Sequence, residues 1–173
     1  MRVGIDICNT IANVNLELLR YFRISFDKYP SPEIPEGFFG TSRSLDIFMK
    51  AEPFPGSQKA LTILVESGYI IEYITNRPLL AEFVTKRWLA LHWFPPGRVI
   101  FTKTPEDKVN CAIQRSYTAF FEDDPRTIEL LLRKGIEVFV KDWEYNRSLK
   151  HDLMVRFKRW SEVTATSGVR LGV

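Results

Sequence analysis

Acidic side chains occur in this chain where short apolar segments end. Asp6 follows the apolar run at the N-terminus, and Glu122, Asp123 and Asp124 follow a later apolar segment. Several carboxylates gathered in one crevice repel one another, so at neutral pH they need a cation or some of them must take up protons. A ligand set made only of oxygen atoms favours magnesium. These residues therefore predict a magnesium site, if the fold brings them together.

Each of these acids also has an ordinary structural interpretation. An aspartate that precedes a helix commonly caps its N-terminus. Asp124 stands directly before Pro125, so it could hold the metal or only cap the following helix, and the sequence leaves both roles open. Polar Thr75 ends a third apolar segment, and this coincidence favours one shared site over three unrelated caps.

The apolar residues alternate between short continuous runs and amphipathic stretches of helical period. Short runs bounded by polar or turn residues are typical of buried strands, whereas a helical period followed by glycine indicates a helix and its end. We expect five strands at residues 2–7, 69–74, 99–101, 118–121 and 136–140, and helices at residues 57–66, 79–92, 105–115, 126–134 and 149–160.

Strands that alternate with helices predict an α/β fold, a Rossmann-like, three-layer α/β/α parallel sheet. Parallel neighbours need crossovers, and the crossover helices cover both faces of the sheet. In such sheets a ligand binds beyond the carboxyl ends of the strands. Asp6, Thr75 and Glu122 follow or end the expected first, second and fourth strands, so we expect them at one edge of the sheet.

Residues 14–52 interrupt this alternation after the first strand. They begin with a helical pattern that must end before Pro30, continue through a segment rich in proline and glycine, and include a short helical stretch at residues 44–50. We interpret them as a small helical cap inserted into a core of residues 1–13 and 53–173. A chain of 173 residues has room for one sizeable core with such an insertion, not for two ordinary domains.

Four ordered motifs resemble those of the haloacid dehalogenase-like (HAD) hydrolase superfamily. They are Asp6-Ile7-Cys8-Asn9-Thr10 after the first strand, Thr75 at the end of the second, Lys108, and Glu122-Asp123. Two further segments, Pro53-Phe54-Pro55-Gly56 and Ile74-Thr75-Asn76-Arg77-Pro78, are most similar to the small deoxyribonucleotidase-type phosphatases and their uncharacterised relatives. The resemblance spans most of the chain and implies a magnesium-dependent phosphatase.

The resemblance implies a nucleophile and a metal site. Asp6 would take the phosphoryl group, since a carboxylate is a competent nucleophile once metal neutralises the charge of the phosphate. Magnesium would be held by Asp6, by the backbone carbonyl of Cys8, and by one or more of Glu122, Asp123 and Asp124. The role of the carbonyl does not depend on the side chain at position 8.

Two further roles follow from the same resemblance. Thr75 would donate a hydroxyl hydrogen bond to a phosphoryl oxygen, and a lysine would stabilise the crowded anions. Lys108 is the leading candidate, because it lies one helix before the fourth strand, where the family often places its lysine. Lys86 and Lys103 are competitors, since the family's lysine also occurs on the helix after the second strand.

Cys8 departs from the family pattern. Phosphatase members usually carry a second aspartate at this position, which protonates the leaving oxygen and later activates water. A thiol with an unperturbed pKa near about 8.5 is a poor donor beside metal-bound phosphate. General acid and base assistance is typically worth about 10² to 10⁴ in rate, so we expect slow turnover rather than none. A small, weakly polar residue that only packs against the next helix is the structural alternative.

Aromatic side chains of the cap indicate what a substrate could carry. Phe38 and Phe39 could stack on a nucleobase, although such rings more often form a small cap core. Asn76 and Arg77 complete the expected substrate contacts, and nucleoside monophosphates are the first substrate class to test. Three arginines could bind a second anionic group, although solvated helix faces routinely carry arginine: Arg20, Arg23 and Arg43.

Composition bounds the partners and the location. The net charge of +3, without a dense basic block, gives no indication of a nucleic-acid polymer as partner, and no apolar span is long enough to cross a bilayer. Cys8 and Cys111 lie in apolar segments, without the spacing of a disulfide framework or a zinc site. We therefore expect a cytoplasmic protein, whose oligomeric state the sequence does not predict.

The leading hypothesis is an enzyme that removes phosphate from small phosphomonoesters, similar to a 5′-nucleotidase. Cys8 motivates a second hypothesis, in which a binding or regulatory module keeps the magnesium and phosphate pocket but has lost efficient hydrolysis. A third hypothesis is phosphoryl transfer to an acceptor other than water.

Overall fold

The computed structural model describes residues 1–165 and contains a six-stranded, fully parallel sheet. The strand order is β3-β2-β1-β4-β5-β6, so the order reverses beside the central strand β1. This arrangement confirms the predicted Rossmann-like α/β fold. The strands are β1 (Arg2–Ile5), β2 (Ile70–Thr75), β3 (Arg98–Phe101), β4 (Ala119–Glu122), β5 (Glu137–Lys141) and β6 (Met154–Phe157).

Helices flank the sheet and connect its strands. Neighbouring strand residues pack into different groups of buried side chains, because successive side chains of a strand point to opposite faces. Phe121 and Phe139 belong to one group, whereas Phe120 and Val138 belong to the other. The helices are α1 (Val14–Leu18), α2 (Ser42–Lys50), α3 (Ser57–Glu66), α4 (Glu82–Leu91), α5 (Pro105–Gln114), α6 (Pro125–Arg133) and α7 (Trp160–Ala165).

The central strand packs very tightly against its neighbour. A Cβ atom at Gly4 would lie 2.4 Å from Cε2 of Phe120, closer than any real contact allows. Glycine at this position therefore lets the Phe120 ring lie over β1. The close packing fixes β1 against β4, and these are the strands that end at Asp6 and Glu122.

The prediction of a C-terminal helix at residues 149–160 is wrong. The segment from Met154 to Phe157 forms β6, a sixth strand that pairs in parallel with β5. Arg156 fastens this strand: its guanidinium donates to the carboxylate of Asp142 (3.1 Å) and to the side-chain oxygen of Asn146 (2.6 Å). An otherwise unpaired edge of β5 supplies the backbone partners, and this tertiary pairing outweighs the local helical pattern.

The predicted cap region contains less regular helix than its sequence pattern indicates. Helix α1 ends at Leu18, well before Pro30, and residues 19–37 contain no further helix or strand. A row of aromatic contacts packs this region together: the ring of Phe22 meets that of Phe38 edge-on at 4.9 Å, and the rings of Phe39 and Phe48 stack at 6.0 Å. The division into residues 14–52 and a core stays a prediction.

Among residues 1–165, the helices are all too short or too polar to cross a lipid bilayer.

Candidate active site

Asp6 lies directly beyond β1, at the edge of the sheet where the strands end. Its backbone N–H donates to the carbonyl of Phe121 on β4 (2.9 Å), and its side chain is buried, with 3% exposed. The chain turns sharply three residues later, where Asn9 has a positive φ of 57°. Asparagine tolerates this left-handed conformation better than most residues. The turn carries Thr10 back toward the end of β4.

Lys108, on α5, extends its side chain to the carboxylate of Asp6. Its Nζ atom donates to Asp6 Oδ1 at 2.7 Å and to Glu122 Oε2 at 2.9 Å. All three groups are almost completely buried. The two competing lysines lie on the surface: Lys86 pairs with Glu82 on its own helix, and Lys103 is exposed.

Asp123 completes a group of three buried carboxylates. One carboxylate oxygen from each of Asp6, Glu122 and Asp123 can be chosen so that the three lie within 4.8 Å of one another. Hydroxyl groups orient the third carboxylate: Thr10 donates to Asp123 Oδ1 (2.7 Å) and Tyr145 donates to Asp123 Oδ2 (2.6 Å). The structure thus brings the predicted acids together at one end of the sheet.

The carboxylate of Asp124 faces the first turn of α6. Its Oδ1 accepts from the backbone N–H of Arg126 (3.0 Å), and its Oδ2 accepts from the hydroxyl of Thr127 (2.6 Å). Both oxygens therefore cap the first turn of α6, one of the two roles that the sequence left open. Glu122 uses its Oε1 differently, since it accepts the backbone N–H groups of Asp123 and Asp124.

Crowding of these carboxylates shifts their acidity. Burial and the nearby Asp6 raise the pKa of Glu122 to about 8. Burial also raises the pKa of Asp123, with Asp6 and Glu122 acting in the same direction, and it raises the pKa of Asp6 against the opposing effect of Lys108. Burial acts to lower the pKa of Lys108. The charges of Asp6 and Glu122 outweigh this effect, so the pKa of Lys108 is raised. One lysine is too little positive charge for three buried carboxylates.

The end of β2 brings a hydroxyl, a thiol contact and a guanidinium to the cluster. Thr75 is buried, and its Oγ1 accepts the backbone N–H of Arg77 (3.2 Å). The guanidinium of Arg77 donates through Nε to Cys8 Sγ (3.2 Å) and through Nη1 to the hydroxyl of Thr85 (3.2 Å). Burial raises the pKa of the Cys8 thiol above its usual range, although Arg77 opposes this shift. The thiol is therefore protonated at neutral pH.

Solved structures share this architecture. A haloacid dehalogenase-like family hydrolase from Streptococcus pneumoniae aligns with a TM-score of 0.63, over 96% of this chain and 97% of its own, at 17% identity. The chain has the haloacid dehalogenase-like fold. D,D-heptose 1,7-bisphosphate phosphatase from B. bronchiseptica, solved with magnesium and phosphate, has a TM-score of 0.60 over 99% of both chains, at 10% identity. This fold agrees with the resemblance inferred from the four motifs.

A relative of similar length is known from its sequence. A protein of Bacillus cereus named "Putative nucleotidase" is 28% identical over 94% of this chain and 96% of its own length. No family model matches the chain. The relative's name agrees with the narrower resemblance drawn from the segments around Pro53 and Thr75.

A cavity of about 250 Å³ opens above the carboxylates of the candidate site. Asp6, Thr75 and Lys108 form its polar end, and Asn76, exposed at the end of β2, lies on its wall. Residues of the cap region form the opposite wall, among them Phe39, Phe48 and Tyr29. The cavity thus extends from the predicted nucleophile, Asp6, to a wall that contains aromatic side chains.

Some predicted substrate residues lie away from this cavity. Phe39 is on its wall, whereas the ring of Phe38 packs edge-on against Phe22 and is 8% exposed, which is the packing alternative raised for it. Arg20 pairs with Glu17, which lies on α1. The three arginines of the cap region all lie at the surface: Arg20, Arg23 and Arg43.

Sequence reasoning missed Tyr145 and Tyr29. Tyr145 follows the end of β5, and the rule that located Asp6 and Glu122 at strand ends would also have found it. Its ring centroid lies 5.0 Å from that of Tyr29, which belongs to the cap region. Burial and the charge of Asp123 raise the pKa of the Tyr145 hydroxyl, so Tyr145 is neutral. Nothing in the spacing around residue 29 indicates that it reaches the site.

Proposed function

We propose that this protein is a magnesium-dependent phosphatase of small phosphomonoesters that transfers the phosphoryl group to Asp6. The observation that carries the proposal is the buried arrangement of Asp6, Glu122 and Asp123 around Lys108, at the end of a cavity with room for a small ligand. Such a cluster supports phosphate chemistry, because a phosphoryl transfer needs a nucleophile and fixed positive charge at the same point.

The donor set fits a divalent cation. Three carboxylates are buried with only one lysine among them, and the raised pKa of each indicates a deficit of positive charge. Asp6, Asp123 and the backbone carbonyl of Cys8 would hold magnesium, with Glu122 as a further ligand, while Asp124 caps α6. Bound magnesium would neutralise phosphate charge and orient the ester.

The protein's own side chains would carry the remaining roles. Lys108 holds Asp6 in place through a 2.7 Å hydrogen bond, and its charge favours the approach of an anionic ester. Thr75 would donate its hydroxyl to a phosphoryl oxygen. Asp6 would then attack phosphorus, and water would hydrolyse the resulting aspartyl phosphate, slowly because position 8 is a cysteine.

Nucleoside monophosphates are the substrate class that we propose to test first. Their phosphate would occupy the polar end of the cavity, and the base would face Phe39, beside Asn76 and Arg77. Aromatic stacking on a base is worth about 1 to 3 kcal/mol in nucleic-acid binders. The free cysteines Cys8 and Cys111 suit a reducing, cytoplasmic location.

A panel of phosphomonoesters with magnesium tests the proposal. We expect release of inorganic phosphate from at least one ester, and we expect Asp6→Asn to lower turnover by about 10⁴ or more, because the substitution removes the nucleophile. Asp46→Asn, which changes an exposed carboxylate of α2, is the matched control and should keep full turnover. Equal turnover in wild type and Asp6→Asn would show that Asp6 is not the nucleophile.

Cys8 favours one alternative, a phosphate-binding or regulatory module. Its thiol is neutral and replaces the acid that hydrolysis normally needs. This alternative predicts binding of a phosphate ester without release of phosphate over hours. A phosphotransferase would instead show turnover that rises strongly when an alcohol acceptor is added.

A further inference from the structure

Arg77 places a buried cation close enough to Asp6 to lower the pKa of that carboxyl. Its side chain is 3% exposed, it lines the cavity, and it donates hydrogen bonds to the thiol of Cys8 and the hydroxyl of Thr85. Within residues 1–165 it forms no ion pair, and its Nη2 nitrogen is buried without any hydrogen-bond partner. A buried charge is costly unless it is paired. An arginine left in this state indicates an anionic ligand.

The geometry of the guanidinium shows where that ligand must lie. In an arginine side chain the Nε–H and one N–H of Nη2 point in the same direction and form a two-pronged fork. The Nε prong donates to Cys8 Sγ at 3.2 Å, so the vacant Nη2 prong faces the same side. Sulfur is a weak acceptor, and an anionic oxygen would readily replace it.

The position of the fork is set by the residues around it. Cys8 is two residues beyond Asp6, in the place where related phosphatases carry the aspartate that serves the leaving oxygen. The guanidinium also lies over the ring of Phe48 on α2, with its central carbon 4.3 Å from the ring centroid. Phe48 and Thr85 therefore hold the fork toward Cys8.

We propose that Arg77 stabilises the oxygen that leaves phosphorus, and so replaces the missing acid at position 8. This inference rests on the proposed phosphatase function. When Asp6 forms its bond to phosphorus, the bond between phosphorus and the ester oxygen breaks and its electron pair stays on that oxygen. The fork of Arg77 donates to this developing anion. The oxygen then takes its proton from water, because a guanidinium does not give one up.

This role is distinct from binding the phosphoryl group. Electrostatic help at the leaving oxygen matters most when that oxygen is a poor leaving group, since more charge then needs stabilising. Contact with the non-bridging oxygens would instead affect every ester to the same extent. The dependence of rate on the leaving group therefore separates the two roles.

The test compares a series of aryl phosphates, from p-nitrophenyl to phenyl, with an alkyl phosphate, in the full-length protein with magnesium. For Arg77→Met we expect kcat/KM to fall by about 10² to 10³ for the alkyl ester, the usual loss for one transition-state donor, and by about tenfold or less for p-nitrophenyl phosphate. Arg87→Met, at an exposed arginine of α4, is the matched control and should change neither rate. The thermal unfolding midpoint reports folding, and Arg77→Gln replaces Arg77→Met if the latter does not fold.

The result expected is a steeper dependence of rate on leaving-group basicity in the Arg77 variant. A loss that is equal for all esters overturns the inference and leaves the phosphatase proposal intact, because Arg77 would then only bind the phosphoryl group or support the fold. If the wild-type protein hydrolyses neither an ester of this series nor a nucleoside monophosphate, both the proposed function and this inference are wrong.

Discussion

At the scale of single residues, Cys8 would limit the rate of the second step of the proposed reaction, the hydrolysis of the aspartyl phosphate. Its thiol is neutral, because burial raises its pKa, and it accepts a hydrogen bond from Arg77. Arg77 can stabilise a leaving oxygen, but it cannot remove a proton from water. Hydrolysis of the aspartyl phosphate on Asp6 should therefore be the slow step.

Cys8→Asp should accelerate this step by about 10² to 10⁴, the usual contribution of a general base. In wild type we expect a rapid burst of leaving group, stoichiometric with the protein, followed by slow turnover. In Cys8→Asp we expect the burst to disappear and steady-state turnover to rise. Rapid-mixing kinetics with p-nitrophenyl phosphate measures both phases. Cys111→Ser is the control, and an unchanged steady-state rate in Cys8→Asp would show that the missing acid is not what limits turnover.

The residues that sequence reasoning located share one property, their place at a strand end. Asp6, Thr75 and Glu122 could be found because the carboxyl ends of parallel strands meet at one edge. Lys108 lies inside a helix and not at a strand end, so the family resemblance was needed to identify it as a candidate. Tyr29 could not be found, because its place depends on how an irregular segment folds over the core.

At the scale of elements, one buried carboxylate joins β2 to α5 and β4. Glu72 accepts a 2.7 Å hydrogen bond from Nε of Arg115 and a 2.6 Å hydrogen bond from the hydroxyl of Tyr117. Arg115 directly follows α5, and Tyr117 precedes β4, so the contact fixes the start of β4 against the sheet. The hydrogen bond from Arg115, with help from Tyr117, lowers the pKa of Glu72 below its usual value.

Glu72→Gln should lower the free energy of unfolding by about 1 to 3 kcal/mol at neutral pH, the usual worth of hydrogen bonds to a charged group. A folded-state pKa below the unfolded one means that the carboxylate stabilises the fold above the unfolded value, near about 4.3, and loses this effect as pH falls through the folded value. The difference between wild type and variant should therefore shrink below about pH 4. Urea unfolding across this pH range measures it.

Glu66→Gln, at an exposed position of α3, is the control for that series and should leave the unfolding free energy within about 0.5 kcal/mol of wild type. A difference between Glu72→Gln and wild type that stays constant as pH falls would contradict the ionic role of Glu72.

The element that the sequence pattern missed is β6. Met154 to Phe157 lies within a stretch whose local pattern is helical, and its place as a strand depends on the open edge of β5 and on Arg156. The helices and strands between residues 57 and 141 could be predicted because each combines a clear apolar period with a capping or turn residue at its end. Long-range pairing leaves no comparable local signal.

At the scale of the whole molecule, the fold concentrates negative charge where the proposed phosphate ester would bind. Asp6, Glu122 and Asp123 belong to two adjacent central strands and the turns after them, and their repulsion is relieved only in part by Lys108. A divalent cation would complete the neutralisation and would also stabilise the native state, because the unfolded chain has no preformed site. The proposed phosphatase function and the proposed role of Arg77 both depend on this ion.

Magnesium binding to the purified protein tests that dependence most directly. Calorimetric titration should show binding to wild type, and magnesium at about 100 times its dissociation constant should stabilise the fold by about 2.7 kcal/mol, with a higher unfolding midpoint. Asp123→Asn should lose both effects, whereas Asp152→Asn, at an exposed carboxylate, should keep them. If wild type and Asp123→Asn respond identically to magnesium, the three buried carboxylates do not form a metal site and the account is wrong.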